Sequence, residues 1–264
     1  MGGEQLGGAA LLVSLAAARA GMPTAPVAVV GDDLAQLPET VALDGLDWSA
    51  LDVFPGASAA FDLEYDAEGH LLSVVTEYGV ASRGTAHALR HIADRPQDAY
   101  HLCCRRPLDV SVLLEALASR PVRFTVDFFL PSAQELIPRS VPWLARATAV
   151  FVNQAEYLLL TEALDVSVLP ELVITDGPRA ARVLLYGALT ATSLPPTVVE
   201  GEVTGAGDTL TGTYLAHRLV GADPGRALDA GVIAATTHVR SRPVLDSPEG
   251  ASDVLRRPPA LRRP

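Results

Sequence analysis

From Gly84 onward the chain alternates short apolar runs with amphipathic ones, and this rhythm leaves few folds open. Thr85–Ala93 reads as a helix, Ala99–Cys103 as a strand, and Asp109–Ser119 as a helix with Asp109 at its N-cap. Val122–Asp127 and Ala147–Asn153 read as strands, and a helix runs from Ala155. Leu172–Thr175 is a further strand, Val183–Tyr186 and Ala191–Leu194 a strand pair, and Leu210–Leu219 and Gly225–Val239 helices. Strands separated by helices require a mostly parallel sheet covered on both faces. The expected fold class is therefore α/β, a three-layer αβα sandwich.

The N-terminal part adds two features. Gly7-Gly8 precede a helix of small residues, Ala9–Ala20, which Gly21 and Pro23 end. Val27–Val30 is a short strand stopped by Gly31-Asp32-Asp33. Residues 41–78 have a different texture: Phe61, Leu63 and Tyr65 alternate with polar or small residues, Asp66–Gly69 form a turn, and His70–Val75 return. This is a hairpin with one apolar face. Residues 1–40 and 79–264 are thus expected to form the core and 41–78 a small β lid. The tail PEGASDVLRRPPALRRP is expected to fray.

Composition narrows the function. The net charge of −11 argues against nucleic-acid or anionic-membrane partners. All 20 basic residues are Arg, which removes a Walker A lysine, a Schiff base and a Ser-Lys nucleophile. The two cysteines, Cys103 and Cys104, are adjacent and build no disulfide framework, so they are read as core packing in a cytoplasmic protein. Leu6–Ala20 lacks the basic flank of a signal peptide, and no apolar run reaches the ~20 residues of a membrane span. His87 and His91, four apart with no third ligand placed, are read as helix surface; His101 and His238 receive no role.

The most informative stretch is EVTGAGDTLTGTYLAHRL, Glu202–Leu219. Gly205-Ala206-Gly207 lie at a helix start, where backbone N–H groups lack helical partners and the dipole favours an anion. Two missing side chains let that anion approach. A carboxylate beside a phosphate repels it, so Asp208 makes sense as a base that takes a proton from an attacking hydroxyl. By themselves these residues also fit a glycine turn with a capping Asp.

TGAGD resembles the C-terminal signature of the ribokinase-like (PfkB) carbohydrate and nucleoside kinase family, and the likeness runs along most of the chain. Gly7-Gly8 with LVSLAAARAG, VVGDD (Val29–Asp33), the 56–74 lid segment, VDFFLP (Val126–Pro131), FVNQAEYLLL (Phe151–Leu160) and VITDGPRAARVL (Val173–Leu184) follow the family's order. The resemblance implies ATP and Mg²⁺ as cofactors and Asp208 as catalytic base. Backbone N–H groups of Gly205, Ala206 and Gly207 would form the anion hole. Asn153 and Glu156 would position Mg²⁺ and its waters. Thr175, Gly177 and Thr204 would lie by the nucleotide, and Gly7, Gly8 and Asp127 by the acceptor. Arg179 and Arg182 would meet phosphate oxygens or lie solvated at the surface. A monovalent cation such as K⁺ is implied near Glu202, and a homodimer through the lid.

The acceptor half departs from the family pattern. The family's first strand, with its substrate-binding Asp, has no counterpart before Gly7. Ala9–Leu12 offer no Asn for substrate hydroxyls, and Phe128-Phe129 follow Asp127. A small sugar or nucleoside is the expected acceptor, and the weaker polar signature favours a nucleoside. Two rivals are a catalytically silent ribokinase-like protein that binds a metabolite or partner, and an α/β nucleotide-binding protein that is no kinase.

Overall fold

A computed structural model describes residues 6–40, 43–65, 71–198 and 203–241. The 66–69 turn, Val199, Glu202 and the Pro/Arg-rich tail lie outside them. The central sheet has six strands: β5 (Ala99–Cys104), β6 (Arg123–Phe128), β7 (Ala149–Asn153), β8 (Leu172–Thr175), β9 (Ala181–Leu185) and β10 (Ala188–Ser193). Their order is β10-β9-β8-β7-β6-β5. β5 to β8 run parallel and β9 and β10 antiparallel, as the α/β rhythm followed by a strand pair requires.

Successive side chains of a strand point to opposite faces, and β7 and β8 show what that does. Val150, Val152, Leu172 and Ile174 enter one core with Leu114 of α3 (Val110–Ala118), Ile137 of α4 (Leu130–Leu144) and Leu160 of α5 (Gln154–Ala163). Ala149, Phe151 and Val173 enter the other with Leu210 and Tyr214 of α6 (Ala206–Leu219) and Leu228 and Val232 of α7 (Pro224–Ser241). The result is the expected three-layer sandwich. α1 (Ala9–Arg19) packs on α6 so closely that a Cβ on Gly212 would stand 2.2 Å from the Val13 carbonyl oxygen.

Three elements differ from the sequence reading. α4 occupies a stretch to which the pattern assigns nothing, although Pro131, Pro138 and Pro142 lie within it. Pro131 sits in the first turn, where no helical N–H is needed. Ser132, Ala133, Leu136, Ile137, Ser140 and Leu144 form a buried stripe at helical spacing, and its burial outweighs the bonds lost at the two inner prolines. β2 (Leu51–Phe54) is also new and pairs in parallel with β1 (Ala28–Gly31). α6 begins at Ala206 rather than Leu210, so the glycine turn is itself the first helical turn.

The lid hairpin consists of β3 (Ala60–Tyr65) and β4 (Leu71–Glu77), paired with each other alone among the described residues. Its root is tied to the GDD turn: Asp33 accepts from the Ser58 amide and hydroxyl, and Ser58 Oγ accepts from the Gly31 N–H. His87 of α2 (Gly84–Asp94) is buried, which corrects the surface reading. One ring nitrogen lies 2.8 Å from the Ala50 carbonyl and the other 2.8 Å from Asp52, so it clamps α2 to β2. Cys103 and Cys104 are both buried, as expected. Among the described residues no helix is long and apolar enough to cross a membrane.

Candidate active site

The site is built at the ends of β5, β6 and β7. Cys103 of β5 stands in register with Asp127 of β6, and Asp127 with Phe151 of β7, so His101, Cys103, Asp127 and Phe151 share the sheet face that meets α6. Arg105, just beyond β5, turns back over this face. Its Nη2 donates to both carboxylate oxygens of Asp127 at 3.1 Å and stands 3.9 Å from Oδ1 of Asp208. His101 Nε2 lies 3.5 Å from Asp127 Oδ2.

The two carboxylates are driven apart. Burial disfavours the charge on Asp127, but Arg105 and His101 outweigh it and hold the carboxyl below its ordinary value. Burial dominates at Asp208 and pushes its carboxyl up; the nearby Asp127 adds to this, and Arg105 opposes it. Asp127 is thereby kept ionised and Asp208 is made a stronger base than a free Asp.

The loop before α6 gives its two glycines different jobs. Gly205 is the N-cap with φ of 80°, in the left-handed region, and a Cβ there would stand 2.8 Å from Leu12 and 3.0 Å from His238 Nε2. His238 Nε2 donates to the Thr204 carbonyl at 2.9 Å, which fastens the loop to α7. A Cβ on Gly207, by contrast, would meet nothing within 4 Å, since that residue borders open cleft. The Ala206 N–H donates to the Val203 carbonyl at 3.0 Å, so this donor is already engaged.

Asn153 and Glu156 form a capping box at the start of α5. Asn153 Oδ1 accepts from the Glu156 N–H at 2.9 Å, and Glu156 Oε2 accepts from the Asn153 N–H at 2.8 Å. Glu156 is only 3% exposed, and burial pushes its carboxyl up to about 8, with Asp127 and Asp208 adding to the rise. A carboxylate ready to ionise beside two others is a place that favours a cation. The second Glu156 oxygen is left for such a cation, or for a water on it.

One cleft of about 3110 Å³ gathers Gly7, Gly8, Asp127, Asn153, Glu156, Thr175, Thr204, Gly205, Gly207 and Asp208. This exceeds the roughly 300–1,000 Å³ of a single-ligand pocket, because the cleft continues under α1 and past β1 and β5, each the last strand of its sheet. Gly177 and Ala206 do not line it. Arg179, largely exposed, is paired with Asp176, and Arg182 donates to Gln154 and covers the Tyr157 ring.

The family profile described as pfkB family carbohydrate kinase matches residues 2–249. The chain belongs to this family. Among solved structures, the fold resembles a Burkholderia thailandensis nucleoside kinase in complex with inosine, with a TM-score of 0.76 at 20% identity over 91% of this chain and 83% of that one. It also resembles a ribokinase II candidate from E. coli in complex with ATP and Mg²⁺, with a TM-score of 0.71, 19% identity, and 90% and 83% coverage. A Methanocaldococcus jannaschii nucleoside kinase gives 0.69, 16%, 92% and 83%. A comparison with proteins of curated function finds no match.

Four residues of the site escaped the sequence reading. His101, Cys103 and Arg105 alternate along one strand and its extension, a spacing of two that places them on one face. That spacing is visible in the sequence. Nothing in the sequence signalled His238, which reaches the glycine loop from a helix 34 residues away.

Proposed function

We propose that the protein is an ATP- and Mg²⁺-dependent kinase that phosphorylates a hydroxymethyl group of a nucleoside or small sugar. The observation that carries the reading is Asp208, a carboxyl made more basic by burial, in the first turn of a glycine-capped helix. Arg105 supports it: its Nε is buried in the same cleft without a hydrogen-bond partner, a donor suited to an anionic oxygen. The nucleoside kinases among the structural neighbours and the weak polar signature of the acceptor half favour a nucleoside.

Bound Mg²⁺ would neutralise phosphate charge and orient the transferring group. Asp208 takes the proton of the acceptor hydroxyl as its oxygen bonds to the γ-phosphorus and the bond to the β-phosphate oxygen breaks, leaving ADP. The free N–H groups of the first turn of α6 and the Arg105 guanidinium bind the charge on the phosphoryl oxygens. Asn153 and Glu156 would hold the metal's water shell. Asp127 fixes Arg105 and faces the acceptor side with Gly7 and Gly8. The β3–β4 hairpin of the 41–78 segment closes over the cleft as a lid and keeps water from the phosphoryl group. The proposal includes K⁺ near Glu202, which lies outside the described residues, and a homodimer formed through the lids.

Purified protein with ATP, Mg²⁺ and a panel of nucleosides and pentoses tests the reading through ADP formation and a phosphorylated product. If no acceptor consumes ATP while one of them binds by calorimetry, the silent metabolite-binding rival replaces it.

A further inference from the structure

His101 presents an unusual arrangement. Its Nδ1 lies 2.9 Å from Thr125 Oγ1, and that hydroxyl is directed at the Tyr100 carbonyl, 3.5 Å away. A hydroxyl that donates to the carbonyl must accept from Nδ1, which fixes the ring proton there. When the ring is neutral, Nε2 therefore carries the lone pair. It is buried, has no hydrogen-bond partner, and is aimed at Asp127 Oδ2, itself an acceptor, 3.5 Å away. Two acceptors facing each other in a buried place are reconciled either by a proton on Nε2, given to Asp127, or by a metal ion between them.

A third donor completes the set. Cys103 Sγ, His101 Nε2 and an Asp127 oxygen all lie within 4.8 Å of one another. The His101 and Asp127 side chains are only 10% and 9% exposed. We propose that His101 Nε2, Cys103 Sγ and Asp127 Oδ2 form a binding site for a borderline-soft divalent metal ion, Zn²⁺ by its ligand chemistry. Nitrogen, thiolate and carboxylate suit Zn²⁺ or Co²⁺, whereas Mg²⁺ prefers oxygen throughout. Bonds of about 2.0–2.3 Å to a tetrahedral ion put ligand atoms roughly 3.5 Å apart, so the three donors need to close by about 1 Å. The thiolate and the carboxylate together neutralise the ion, and Cys103 releases one proton on binding. The bond between Nδ1 and Thr125 is the outer contact that orients a ligating imidazole. Arg105 Nη2, which donates to both Asp127 oxygens at 3.1 Å, keeps Oδ1 when Oδ2 turns to the ion, and the fourth position opens to the cleft.

Binding itself does not depend on the kinase reading. Its consequence rests on that reading: an ion here withdraws Asp127 from the acceptor side, so zinc inhibits phosphoryl transfer.

The test is Co²⁺ titration of the wild-type protein, shown folded by circular dichroism, with Mg²⁺ present in excess. The expected result is one equivalent bound, with visible bands of tetrahedral cobalt and a near-ultraviolet band of thiolate-to-cobalt charge transfer. Cys103→Ser should abolish the charge-transfer band, and His101→Gln should weaken uptake at least tenfold. Cys104→Ser, altered next door in the chain, should keep both. Wild-type protein that takes up no Co²⁺ would overturn the proposal, as would a charge-transfer band surviving in Cys103→Ser; neither result would bear on the kinase reading, which the ATP assay decides.

Discussion

Glu156→Gln should make the protein more stable and a worse user of magnesium. The carboxyl is held near 8 in the folded protein against an ordinary 4.5, chiefly by burial. Its folded value is raised, so the folded protein keeps a proton that the unfolded chain gives up. The contribution of Glu156 to stability is therefore greatest below pH 4.5 and declines as pH rises toward 8. The loss works out to about 3 kcal/mol by pH 7 and 4–5 kcal/mol above pH 8. Gln does not titrate, and it keeps the capping box, since its amide oxygen can accept from the Asn153 N–H as Glu156 Oε2 does. Melting curves without nucleotide or Mg²⁺ should then superimpose near pH 4.5 and diverge with pH. At pH 7 the variant should melt about 5–10 °C higher for a chain of this size. The same change removes a charge from the metal's water shell, so in the kinase assay the Mg²⁺ needed for half-maximal rate should rise. A difference in melting temperature that stays flat between pH 5 and 8 would refute the burial argument. An unchanged Mg²⁺ titration would leave Glu156 as a cap alone.

Asp208→Asn should keep the fold and ATP binding and lower kcat by about 10²-fold or more; a wild-type rate would reduce Asp208 to a first-turn residue of α6. Gly207→Val should fold and melt normally, because its Cβ meets nothing, yet lose ATP affinity in calorimetry; undiminished affinity would mean that the loop does not face the phosphates. Gly205→Ala should instead lower stability by about 1–3 kcal/mol through its positive φ and the contact with Leu12, and an unchanged melting temperature would contradict that split between the two glycines. Phe61, 41% exposed on the lid, should hold the proposed dimer, so Phe61→Asp should give a monomer in light scattering; wild-type protein that is already monomeric at micromolar concentration removes the dimer from the proposal.

Much of the fold was legible because the sheet is buried on both faces. Runs such as Val150–Val152 and Leu172–Ile174 have no polar side to hide, and the helices between them fix a parallel order. α4 was not legible by the same logic. Its prolines signal a break locally, while the stripe from Ser132 to Leu144 draws its stability from α3, α5 and β6, which a local pattern does not contain. His87 failed for a related reason: of its partners, Asp52 lies on β2 and Ala50 in the turn just before it, and the pairing of β2 with β1 is non-local.

The site divides along the same line. Motifs whose residues act through one local piece of backbone, the glycine turn with Asp208 and the pair Asn153 and Glu156, could be read from spacing, because a helix start fixes their geometry. What spacing could not supply is charge balance. Whether Asp127 or Asp208 is the stronger base depends on Arg105, which donates to Asp127 at 3.1 Å and stands 3.9 Å from Asp208. That small asymmetry keeps one carboxyl ionised and lets burial raise the other. Had Arg105 sat equally between them, both would be held as ordinary ion pairs and neither would be poised to take a proton. The position of one guanidinium thus decides which aspartate is the stronger base, and it arises only when β5, β6 and α6 have come together.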